Sequence, residues 1–130
     1  ILGETWVETG EAPDWQRLAD RREAWKPGTV PAGGLFLTAG ADVQKDRIEV
    51  DVWAWGRGLE SWLVDHLVIE GGPGDPDCWR QLTGLLDRTW EHASGQHVTL
   101  ARLAIDTGYE RPLPEVLSKA RAWIAPETPE

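Results

Sequence analysis

Residues 35–70 are the part of this sequence with the least freedom in how they can fold. Between 47 and 55 the chain alternates, with Ile48, Val50, Val52 and Ala54 on one side and Glu49, Asp51, Trp53 and Trp55 on the other. A period of two belongs to a strand. Residues 61–70 form another such stretch, with Leu63, Leu67 and Ile69 opposing Trp62, Val64, His66 and Val68. Before them, 35–43 is a nearly continuous apolar run, which predicts a central strand buried on both faces. Only Lys45-Asp46 and Gly56-Arg57-Gly58 connect the three. Turns this short allow antiparallel neighbours and leave no room for a crossover, so the segment reads as a three-strand meander.

Downstream, Gly71-Gly72-Pro73-Gly74-Asp75-Pro76 is a loop, and Asp75 or Asp77 can cap the helix after it. Trp79, Leu82, Leu85, Leu86 and Trp90 form one apolar stripe, and Ser94-Gly95 closes this predicted long helix. A fourth strand spans 100–106 and breaks at Gly108, and Pro114 opens a last helix burying Val116, Leu117, Ala120 and Trp123. The helix before the fourth strand acts as a crossover. That strand therefore lies parallel to and beside the third or the first, and the pattern leaves both open. Residues 1–34 read as an arm or linker: Asp14 caps a short helix bearing Trp15, Leu18, Arg22 and Trp25, which Pro27, Gly28, Pro31, Gly33 and Gly34 stop. The expected class is α/β, with an arm at 1–34 and a compact unit at 35–130.

Charge and composition narrow the chemistry. Twenty-two acidic against 13 basic residues give a net charge of -9. That opposes extensive phosphate contact and suits a site that collects divalent cations. The single Cys78 excludes an internal disulfide and a multi-thiolate zinc site. No apolar run approaches the roughly 18 residues of a membrane helix, so no membrane association is expected. The nine Trp residues read as packing elements ahead of base-stacking platforms. With no Met and no leader at Ile1, the sequence is expected to be a piece of a longer polypeptide.

Asp42 and Asp106 carry the strongest chemical signal, because each closes an apolar strand at its C-terminal end. There a carboxylate must face water, pair with a cation or bind a metal. If the fourth strand lies beside the first, chain order reverses at their junction, where ligands gather at strand C-termini. Strands about 4.8 Å apart would let the two carboxylates share a cation, or help hold a pair about 3.5–4 Å apart. Oxygen ligands favour magnesium or manganese. The plainer reading makes both acids strand-end turn formers. His66 reads as a strand residue at the sheet surface, His92 and His97 as surface histidines, Arg21 and Arg22 as solvated, Cys78 as packed or half-exposed, and Asp46 as a turn residue. The glycine-rich loop lacks the Gly-Lys-Ser/Thr ending of a nucleotide site, so no ATP site is expected here.

Several segments also carry a family resemblance. Residues Leu37-Thr38-Ala39-Gly40-Ala41-Asp42-Val43-Gln44-Lys45-Asp46-Arg47-Ile48-Glu49-Val50 resemble the start of the nuclease domain in phage terminase large subunits of the GpA family, where a strand ends in Gly-x-Asp-x-Gln and Asp-Arg leads into the next. Trp55-Gly56-Arg57-Gly58 with Glu60-Ser61-Trp62, Trp90-Glu91-His92-Ala93-Ser94-Gly95 and Ala104-Ile105-Asp106-Thr107-Gly108 continue the likeness, and Leu2-Gly3-Glu4-Thr5-Trp6 is similar to the segment before that nuclease. The resemblance implies a ribonuclease H-like mixed sheet, truncated, with the fourth strand parallel to and beside the first. It implies a metal-dependent endonuclease, a hydrolase, that cuts double-stranded viral DNA during genome packaging in the bacterial host cytoplasm. Asp42 and Asp106 would be its first and second metal ligands, for magnesium or manganese, with two ions in a complete site. Implied partners are double-stranded DNA, the small terminase subunit, the portal of the procapsid and an ATPase motor domain of the same chain. The sequence departs from the family in ending at Glu130, before a third acidic ligand. Glu115, Glu127 and Glu130 match no motif for that role, and the chain alone is expected to be inactive. The alternative is a non-catalytic assembly module on the same fold, contacting the motor domain, portal or small subunit.

Overall fold

The computed structural model describes residues 14–106. Helix α1 (Trp15–Asp20) is followed by β1 (Thr29–Val30), β2 (Phe36–Val43), β3 (Arg47–Trp55), a 3-10 turn (Arg57–Leu59) and β4 (Ser61–Glu70). Then come α2 (Pro76–Gly84), β5 (Trp90–His92), β6 (His97–Val98) and β7 (Leu100–Ile105). The main sheet has the order β4-β3-β2-β7, and a small second sheet has the order β1-β5-β6. β2, β3 and β4 are antiparallel neighbours, whereas β7 joins β2 in parallel. This is the expected α/β mixed sheet, compatible with a ribonuclease H-like fold. No described helix is long and apolar enough to cross a membrane.

The meander forms where the alternation put it. Gln44 N donates to Arg47 O at 2.8 Å and closes the β2–β3 hairpin around Lys45 and Asp46. At the other end Gly56 N donates to Glu60 O at 2.8 Å. Gly58 there takes a left-handed φ of 66°, which glycine adopts without a Cβ penalty.

The two faces of the sheet differ. Leu37, Ala39, Ala41 and Val43 are buried with Ile48, Val50, Val52 and Ala54, and Cys78, Trp79 and Leu82 of α2 join the same core. Phe36, Gly40 and Asp42 are exposed on the other side. The expectation that β2 is buried on both faces is thus corrected: α2 covers one face, and the small residues Ala39, Gly40 and Ala41 blur the alternation. In β4 a bulge changes the expected facing. Val52 pairs with Asp65 and Trp53 with Leu63, leaving Val64 as the extra residue. An extra residue inverts the alternation beyond it, so Val64 is buried and Leu63 is exposed.

The predicted long helix is shorter than its stripe. Asp75 caps α2, accepting from Asp77 N at 2.9 Å, and the helix ends at Gly84. Residues 90–98 instead form the β5–β6 hairpin, with β1 parallel to β5. Trp79, Leu82, Leu85 and Trp90 are buried as the stripe required, while Leu86 is exposed. Burial was therefore readable where conformation was not: Gly84 and the polar Asp87-Arg88-Thr89 interrupt the helix. Gly95, with φ +85°, serves the hairpin turn. Val30, from the stretch read as an arm, is 1% exposed and belongs to the main core. The predicted last helix and Gly108 lie outside the described residues.

The loop after β4 rests on the β2–β3 hairpin, where Gly71 N donates to Asp46 O at 2.9 Å. A Cβ added to Gly72 would lie 2.5 Å from Lys45 O. Gly72→Ala is expected to destabilise the chain by about 1–3 kcal/mol, as overpacking does. An unchanged urea midpoint would show that the loop can withdraw without cost.

Candidate functional site

The parallel pairing of β2 and β7 decides where the two strand-end acids lie. Thr38, Ala39, Gly40 and Ala41 pair with Arg102, Leu103, Ala104 and Ile105. Asp106 N then donates to Ala41 O at 2.8 Å, carrying the ladder one step further. Asp42 follows Gly40 and Asp106 follows Ala104 in the period of two, so both leave the sheet on its open face. They stand side by side at the C-terminal ends of neighbouring parallel strands, about 4.8 Å apart in the sheet. Of the two placements left open by the sequence, the fourth strand takes the one beside the first.

Both acids are exposed and line one cleft of about 590 Å³ with Gly40, Glu49, Asp51, Trp53 and Ala104. A Cβ at Gly40 would meet nothing within 4 Å, so the floor between the acids and Asp51 is bare. Three of these carboxylates are held in different ways. Glu49 Oε1 accepts from Arg47 Nε at 2.7 Å, and Arg47 Nη1 also reaches Asp46 Oδ1 at 2.9 Å. Asp51 Oδ1 lies 2.7 Å from His66 Nδ1. Asp42 Oδ2 instead accepts from the neutral amide of Gln44, at 2.6 Å. A neutral donor orients a carboxylate without cancelling its charge, whereas Arg47 compensates Glu49.

The donor set suits a hard divalent cation, because it is entirely oxygen. Among the described residues no group of three or more His, Cys, Asp or Glu could hold a metal ion. Magnesium usually keeps several waters and is held through one or two carboxylates together with substrate phosphates, a demand that Asp42 and Asp106 would meet.

The Asp51–His66 pair gives this face a titratable group. The hydrogen bond to Asp51 raises the His66 pKa above its ordinary 6.5, reinforced by the nearby charges of Asp51, Glu49 and Asp65. A folded-state pKa above the unfolded one means that the stabilisation is full below about 6.5. It is lost as pH rises through the folded value. NMR titration of the His66 ring is expected to give a midpoint above 6.5. Asp51→Asn should lower that midpoint, and an unmoved midpoint would remove Asp51 as the cause.

The other candidates have structural roles. His92 Nδ1 accepts from Ser94 N at 3.0 Å, which leaves Nε2 as the donor to Gly34 O at 3.0 Å and ties β5 to the start of β2. His97 is exposed on β6. Asp46 is the expected turn residue, paired with Arg47. Cys78 is fully buried, donates to Gly71 O at 3.3 Å, and has its thiol pKa pushed up by burial. The glycine-rich loop spends its carbonyls on the core, with Pro73 O accepting from Trp79 Nε1 at 2.6 Å. Arg21 is exposed, and Arg22 lines a separate groove with Trp25 and Trp62. Sequence reasoning met Gln44 only as the last residue of the Gly-x-Asp-x-Gln resemblance and did not single out Glu49 or Asp51. The signal was present, because a two-residue hairpin at Lys45-Asp46 sets Asp42 opposite Glu49.

Comparison with known proteins adds an independent line. Residues 1–127 match the family model described as terminase large subunit gpA, endonuclease domain. The chain is 39% identical over 108 residues to the terminase large subunit of Escherichia phage lambda, and 38% identical over 108 residues to that of Enterobacteria phage P21. Each match covers 82% of this chain but 17% of the relative, so the chain spans about a sixth of the curated relatives' length. No solved structure matches. With nearly its whole length matched, the chain belongs to the family of terminase large subunit gpA endonuclease domains.

Proposed function

We propose that this chain supplies two metal-holding carboxylates, Asp42 and Asp106, to a magnesium- or manganese-dependent endonuclease that cuts double-stranded viral DNA during genome packaging. The observation that carries the reading is their adjacency on the open face of β2 and β7, above one cleft. Bound ions would supply charge neutralisation at the phosphoryl group and a water activated for attack. Asp42 and Asp106 would hold and orient the ions. Gly40 and Ala104 keep the floor low enough for a phosphodiester to approach. Arg47 offsets Glu49, and His66 offsets Asp51 when its ring is protonated, which lessens the repulsion that an incoming phosphate meets. A third acidic ligand and the wider basic surface for DNA would lie outside the described residues, and an ATPase motor would belong to the same protein. The small terminase subunit and the procapsid portal are its packaging partners, in the bacterial host cytoplasm.

One observation favours a second reading. Phe36, Trp53, Leu63 and Val68 are exposed, and on the same open face they could seat a neighbouring domain in a non-catalytic assembly module. Manganese titration separates the two. Asp42→Asn and Asp106→Asn are each expected to lose binding that the unaltered chain has, and unchanged binding in both would leave the assembly module as the better account.

A further inference from the structure

We propose that Gln44 is the positioning residue of this half-site and biases it toward a small octahedral cation. The inference rests on the metal reading of Asp42. Gln44 Nε2 donates to Asp42 Oδ2 at 2.6 Å, while its own backbone N donates to Arg47 O at 2.8 Å. Gln44 as a residue is half-buried and closes a two-residue hairpin, so the base of its side chain is fixed, while the hydrogen bond to Asp42 lies exposed. An ionised carboxylate only accepts, which sets the amide nitrogen toward Asp42. One carboxylate oxygen is thereby pinned, and the direction of the other is fixed with it.

The charge of the partner matters as much as its reach. Directly across the hairpin stands Glu49, and it is held by a cation, Arg47. Had Asp42 been held in the same way, a tethered positive charge would compete with any bound ion. The amide gives orientation with no such competition. Rigidity then discriminates among ions: magnesium demands near-ideal octahedral geometry at about 2.0–2.1 Å, whereas calcium tolerates variable geometry at about 2.3–2.6 Å. A pinned Asp42 suits the first, and a freed one would still serve the second.

The test follows manganese binding to this chain by paramagnetic broadening of the amide resonances around Asp42, with magnesium and calcium as competitors. Gln44→Ala and the near-isosteric Gln44→Met are expected to weaken magnesium and manganese about 10- to 100-fold, the usual effect of losing a group that orients a metal ligand. Calcium should weaken less, so that the magnesium-to-calcium preference falls. Gln44→Lys should weaken all three ions, as a tethered competitor does. Retention of the unaltered magnesium affinity by Gln44→Met would overturn the inference, and so would equal weakening of all three ions. Asp42→Asn, measured alongside, keeps two failures apart. If it leaves manganese binding intact, the metal reading itself falls. If it abolishes binding while Gln44→Met changes nothing, only the role of Gln44 falls.

Discussion

Asp42→Asn, introduced into the full-length protein, is expected to lower metal-dependent cleavage of duplex DNA by about 10²- to 10³-fold, the loss that follows removal of one group stabilising developing charge. Asp106→Asn should do the same. The substitution changes charge and almost nothing else. Asn keeps the shape of Asp, and its side-chain oxygen can still accept from Gln44. Both positions are exposed at strand ends, where substitutions usually alter stability by no more than about 0.5 kcal/mol. Unfolding should therefore be unaffected while cleavage falls. The double variant supplies a sharper criterion. Groups that serve one ion act as a unit, so losing both should be scarcely worse than losing either. Cleavage by Asp42→Asn within a few-fold of the unaltered protein, at saturating magnesium, would sink the assignment.

Trp90→Ala is expected to cost about 3–5 kcal/mol, the range for removing a large aromatic side chain from a core. Trp90 is 1% exposed and holds several things at once. It starts β5, which β1 joins in parallel. Its Nε1 donates to Asp65 Oδ2 at 3.1 Å, and the Arg88 guanidinium lies 4.9 Å from its ring centroid while bonding the same carboxylate oxygen at 3.0 Å. Alanine would open a cavity, free Arg88 from its ring and loosen the second sheet from the first. Against a total stability of about 5–15 kcal/mol for a domain of this kind, that is a large fraction. Trp90→Phe keeps most of the packing and loses the N–H donor, so about 1 kcal/mol is expected. Urea unfolding monitored by far-UV circular dichroism distinguishes the two, and near-equal losses would mean that the hydrogen bond, not the packing, carries the site.

The legible and illegible parts of this chain divide along a physical line. Alternation in Ile48, Val50, Val52 and Ala54, bounded by two short turns, put the meander in place, because strand period and turn length are local properties. The pairing of β7 with β2 was not local. It depends on which side of the meander a crossover reaches, and the family resemblance supplied what pattern alone left open. The β4 bulge escaped because Leu63 and Val64 are both apolar, so hydrophobicity does not mark which one turns inward. Trp90 misled in another way. Its spacing from Trp79, Leu82 and Leu86 matches a helix, but the same burial is reached by a short strand after Gly84. For the candidate site, Asp42 and Asp106 were visible as acids ending apolar strands. Gln44 was visible only as part of the Gly-x-Asp-x-Gln resemblance, and Glu49 and Asp51 emerge once the hairpin register sets them around Asp42.

Parallel pairing also sets a timetable. The β2–β3 and β3–β4 hairpins join residues close in sequence and can form in microseconds. β7 must wait for α2 and the β5–β6 hairpin to be made before it reaches β2, and such long-range closures are the slow part of folding. Asp42 is therefore expected on a folded hairpin before Asp106 arrives beside it. On a ribosome adding about 5–20 residues per second, several seconds separate the emergence of the two. A growing chain first has one carboxylate of the pair without the other. If Asp42 and Asp106 hold an ion together, as proposed, that capacity arrives only with the completed sheet.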